Sequence, residues 1–245
     1  AEPNDYAAIF SALLFLILQF NLYRSSKNQD KKGYSPALAW LRACSYFCIA
    51  YIVGWCSGVV DTVLGNPVFT AEQLDNRAWL SSTIFYIIMI MFCYLIIWRR
   101  GTFHDNRIYR WWLTPWYGIL WGFSQACVFM SIWAVVEYSA VEYSKWTIGI
   151  TGLVAGLLIS VYNGCWQQFY WDIYVSPPHN EKAFNMRKVF LAHIPNLVFS
   201  LFYVGLFGNV GIYFFMQGIA LGISASIMRF PAWWDNYSAE AGATR

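Results

Sequence analysis

The run AWLSSTIFYIIMIMFCYLIIWRR, from Ala78 to Arg100, decides the fold. Between Ala78 and Trp98 it carries no Asp, Glu, Lys or Arg, and it stops at two arginines. A helix rises about 1.5 Å per residue, so some 20 apolar residues reach across a hydrocarbon core about 30 Å thick. The same pattern recurs on both sides. Seven spans are predicted, from Tyr6 to Tyr23, Ala37 to Val60, Ala78 to Trp98, Trp112 to Val136, Thr147 to Phe169, Lys188 to Phe207, and Asn209 to Met228. Only GNVG, Gly208 to Gly211, divides the last two, and two glycines with an asparagine suit a tight turn. The expectation is an all-α, polytopic membrane protein in which residues 1–245 form a single domain of seven transmembrane helices.

Composition agrees. Hydrophobic residues make up 58% of the chain and charged residues 12%, against about 25% charged in soluble domains. Alternating ten-residue strands, the mark of an outer-membrane barrel, are absent. Of the 16 lysines and arginines, all but Arg77 and Lys145 fall on one side of the seven-span scheme. Positive charge gathers on the inner side of membranes, so the N-terminus is expected outside and the C-terminus inside. The net charge of +3 then reports orientation and implies no nucleic-acid partner. The opening AEPND is too short and acidic for the basic leader of a signal peptide, so the first span is expected to be retained. The expected location is the plasma (inner) membrane or an equivalent organelle membrane, crossed several times.

Several chemistries fall away. The seventh span has no lysine for a retinal Schiff base, and no charged residue falls near the middle of any span, where pumps and ion-coupled transporters keep theirs. Three histidines are too few for a histidine-rich di-iron site. The six cysteines all fall within spans without a CxxC pair, as small hydrophobes do. Neutral polar residues remain inside the spans: Gln125, Asn163, Gln167 and Gln217, with Trp166 beside them. They either bond helix to helix or line a site for a polar group on a substrate. Trp55, Trp121, Trp133 and Trp166 lie deeper than the interfacial tryptophans and are expected to pack helices together or line a cavity.

One constellation remains. Asp172, His179 and His193 all map to the inner side, within or beside the segment WDIYVSPPHNEK and the start of the sixth span. If the fifth and sixth spans are neighbours, the three meet in an inward-facing pocket. Imidazole and carboxylate together act as general acid and base, and the same three residues are candidate metal ligands. The remaining reading is an aromatic collar followed by a solvated turn. On the outer side Asp61 sits between apolar stretches in SGVVDTVLGNPVF, where a carboxyl is favoured in its protonated form.

Length, seven spans, an outer N-terminus and a wealth of aromatics resemble the small membrane-bound terpene cyclases of fungi and bacteria. That resemblance covers gross architecture. It implies a membrane carboxylate that protonates an alkene or epoxide, and aromatic faces that steady the cation. The fungal pattern has a Trp-Glu pair in the second span and an aspartate in the seventh. Here the second span offers Trp55-Cys56 with Asp61 further on, and the seventh has no acid. The function expected is the handling of a lipophilic substrate, isoprenoid or lipid, by acid–base residues at a membrane face. Asp172, His179 and His193 would carry it, with Asp61 as the rival acid. The competing expectation is a non-catalytic subunit or transporter with membrane-protein partners.

Overall fold

The computed structural model describes residues 36–98, 112, 114–140, 147, 150–159 and 194–227. The first predicted span lies outside them. All regular structure among the described residues is helical.

Helix α1, Pro36–Cys56, opens on a proline, whose missing N–H is no loss in a first turn. It stops short of the predicted Val60 because Gly58 takes a left-handed φ of 74°. The chain then turns by 70° into α2, Val59–Gly65. Apolar Val59 and Val60 had disguised that corner in the sequence. α3, Ala71–Asp75, is held by a capping box between Thr70 and Gln73. In α4, Arg77–Phe92, the Asn76 side chain accepts from the N–H groups of Ala78 and Trp79.

α4 runs on into a π-helical stretch, π1, Cys93–Trp98. A second stretch, π2, Gly118–Phe123, lies between α5, Thr114–Tyr117, and α6, Ser124–Ser139. α7 covers Ile150–Ile159, and the Thr147 hydroxyl accepts from Ile150 N–H at 3.4 Å. α8, Ile194–Phe207, and α9, Val210–Ile227, are separate helices. Gly208, at φ 65°, makes the turn between them.

α9 is the hub. π2, α5, α6, π1 and α4 all pack on it, while α1 packs on α6 and α8 on α4. Its closest neighbour is π2. A Cβ added at Gly118 would stand 3.3 Å from the Gly218 carbonyl oxygen, and one at Gly122 would overlap the Gly218 backbone. Small residues at this crossing let the two backbones meet. Phe123 stacks on Phe214 nearby, with ring centroids 5.1 Å apart. α1 joins through Phe47, edge-on to Trp121 at 4.8 Å.

The outer face of α4 and π1 is apolar. Leu80, Ile84, Ile88, Phe92 and Ile96, four residues apart, form an exposed stripe along α4 and π1. Thr83, Tyr86 and Tyr94 of the same helix are buried. A soluble helix faces water with its polar side, whereas one in lipid turns its apolar side outward. Arg77–Ile97 and Gly118–Ser139 are each long and apolar enough to cross a bilayer. The bent pair Cys44–Cys56 and Val59–Gly65 makes a third such span if taken together.

Candidate functional site

Among the sequence candidates, Asp172, His179, His193, Asn163, Trp166 and Gln167 lie outside the described residues. Asp61 is exposed, in the first turn of α2 just past the 70° corner. Gln125 is half-buried in α6. Trp121 and Trp133 are buried as expected, but Trp55 is not: it is 64% exposed, because the last turn of α1 carries it to the outside of the bundle. Trp133 Nε1 donates to Glu137 Oε2 at 3.0 Å. No group of three His, Cys, Asp or Glu that would hold a metal ion occurs among the described residues.

Gln217 is the candidate around which a site forms. It is fully buried in α9. Its Nε2 donates to the Tyr94 hydroxyl of π1 at 2.8 Å, and Ser224 Oγ donates to the Tyr94 backbone oxygen at 3.0 Å. One π1 residue is thus tied to α9 at two heights, two turns apart. Tyr213, also at 0% exposure, sits one turn from Gln217 on the same face of α9. Tyr86 and Tyr94 are its electrostatic neighbours. Tyr86 stacks on Tyr203 of α8 with centroids 4.7 Å apart, and Thr83 and Tyr203 share a hydrogen bond of 2.8 Å.

This tyrosine-rich interior links α4, π1, α8 and α9. Three of its polar atoms, Gln217 Oε1 and the hydroxyls of Tyr213 and Tyr86, have no hydrogen-bond partner among the described residues. Leaving one buried polar atom unmet costs about 1–3 kcal/mol, and lipid around a bundle offers it no partner.

Every buried polar side chain among the described residues is neutral: serines, threonines, tyrosines, Asn209 and Gln217. Such a lining can hold and orient a neutral polar group. Among the described residues it brings no carboxylate or imidazole. Sequence reasoning singled out Gln217 but none of these tyrosines. The available signal was spacing: Tyr86 and Tyr94 are about two turns apart on one helix, and Tyr213 and Gln217 one turn apart on another.

A second polar cluster closes the end of the bundle where α2 to α4 begin. Asn209, 6% exposed, accepts from Trp79 Nε1 at 2.6 Å and from Gln73 Nε2 at 3.2 Å. Its own Nδ2 donates to Gln73 Oε1 at 3.2 Å and to the Val68 carbonyl at 3.4 Å. The turn between α8 and α9 is thereby clasped to the 68–79 segment.

No known protein family, characterised protein or solved structure matches this chain.

Proposed function

We propose that this chain is an integral membrane protein of seven helices in one domain, N-terminus outside and C-terminus inside, that handles a lipophilic molecule. The carrying observation is the neutral polar face of Tyr94, Tyr213 and Gln217, buried inside a bundle whose exterior is apolar. A lipophilic molecule with one polar group matches that lining, whereas an ion or a charged substrate does not. The seven-span scheme is supported by which residues meet. Ser57 bonds Ser131, Thr83 bonds Tyr203, and Asn209 bonds Gln73 and Trp79. In that scheme each set lies at or near the outer ends of its spans.

In the enzymatic form of this reading, Asp172, His179 and His193 supply acid and base, or hold a metal ion, at the inner face. Asp61 is the rival acid at the outer face. A subunit role is the second reading, favoured by the outward-facing Trp55. Purification in mild detergent, followed by mass spectrometry of the organic extract, tests the proposal. A lipophilic compound in stoichiometric amount is expected, an isoprenoid favouring the enzyme. An extract holding only bulk lipid, with a stoichiometric protein partner, would replace it with the subunit reading.

A further inference from the structure

Gln217 presents a choice that hydrogen-bond bookkeeping narrows. As placed, its Nε2 serves Tyr94 and its Oε1 is unmet. Turning the amide over would let Oε1 accept from Tyr94, but would leave the NH2 group facing the same unmet position. The unmet end changes sign and does not disappear. The Tyr213 hydroxyl, one turn away and equally buried, is unmet as well. A ketone or ether only accepts, so it cannot satisfy Oε1. A charged group would find no counter-charge among the buried residues described. A hydroxyl both donates and accepts, and it satisfies Gln217 in either orientation while also answering Tyr213.

We propose that Gln217 and Tyr213 form the polar anchor for the hydroxyl group of a neutral molecule bound between π1 and α9. The O–H donates to Gln217 Oε1, and its oxygen accepts from the Tyr213 hydroxyl. The chemistry has two possible sources, the head of a lipophilic alcohol or a single buried water. The alcohol source rests on the reading of this chain as one that handles a lipophilic molecule. The water source does not.

The test uses the full chain in detergent, with 1-dodecanol and dodecane as probes of equal length. If an alcohol is held, dodecanol raises the thermal unfolding midpoint and dodecane does not. Gln217→Met then weakens the dodecanol response about tenfold, as loss of one hydrogen bond to a buried acceptor would. If water is held, neither probe shifts the midpoint, and the side-chain amide resonance of Gln217, assigned with the same variant, exchanges magnetisation with a long-lived water. Equal stabilisation by dodecanol and dodecane, without that water signal, overturns the anchor while leaving lipophilic binding intact. No response to either probe and no water signal also overturns it. The probe comparison is made on the unmodified chain and stands even where a variant fails to fold.

Discussion

Hydrogen bonds of similar length are of unequal worth in this molecule, and the difference lies in what each side chain leaves behind. Ser57 and Ser131 share a buried bond of 2.7 Å, yet each also reaches a backbone carbonyl of its own helix, Gly54 and Cys127. Removing one hydroxyl leaves the other satisfied. Ser131→Ala is therefore expected to lower stability by only about 0.6 kcal/mol, the usual size for an interhelical bond in a membrane protein. Asn209 has no such reserve. Asn209→Leu strands the buried Trp79 Nε1 and removes the amide pair with Gln73. It should destabilise by about 2–3 kcal/mol, and denaturant unfolding in detergent of both variants checks the order. If the enzymatic reading holds and Asp172, His179 and His193 form one pocket, Asp172→Asn, His179→Ala and His193→Ala are each expected to abolish turnover of the substrate. Together they should lose little more than any one alone, as groups acting as a unit do. Three independent, additive losses, or none, would remove the inner acid–base set. The residue types at depth were legible in the sequence. Their partners were not, since Tyr94 meets Gln217 across 123 positions and Asn209 meets Trp79 across 130.

At the scale of elements, the helices lean on glycine in two distinct ways. A Cβ at Gly54 would stand 2.7 Å from Cys127 Sγ and 2.8 Å from its Cβ, so it collides with a side chain. A Cβ at Gly122 collides with the Gly218 backbone of α9. Side chains give way and backbones do not, so Gly54→Ala is expected to destabilise by about 1–3 kcal/mol and Gly122→Ala by more. Adding Cys127→Gly should restore much of the first loss and none of the second. Circular dichroism melts of the four variants decide this, and equal losses at both glycines would show that the α6 and α9 contacts are equally soft. Apolar length alone made the helices legible, and the glycine turn at Gly208 falls where the sequence puts it. The corner at Gly58 did not show, because two valines carry the hydrophobic run past it. The π stretches did not show either: widening a helix to an i→i+5 ladder leaves no pattern in CYLIIW or GILWGF that differs from an ordinary apolar turn.

At the scale of the whole molecule, the proposed orientation rests on charge. With all but two of the basic residues on one side of the seven-span scheme, that orientation makes a plain statement about access. Introduced as Lys31→Cys and Glu142→Cys, thiols should be, respectively, protected from and reactive toward an impermeant reagent added outside intact cells. The reverse pattern would turn the protein over and put Asp172, His179 and His193 on the outer face. The clasp at Asn209 adds a matter of timing. A chain is synthesised from its N-terminus, at about 5–20 residues per second, and Asn209 emerges 130 residues after Trp79. For something between about 6 and 26 s the indole has no amide to meet, and the 68–79 segment stays unfastened. The start of α9, made well after α4, thus latches the 68–79 segment. A nascent chain arrested before Asn209 should be cut by a protease between Val68 and Trp79, and a chain extended past α9 should resist cutting there.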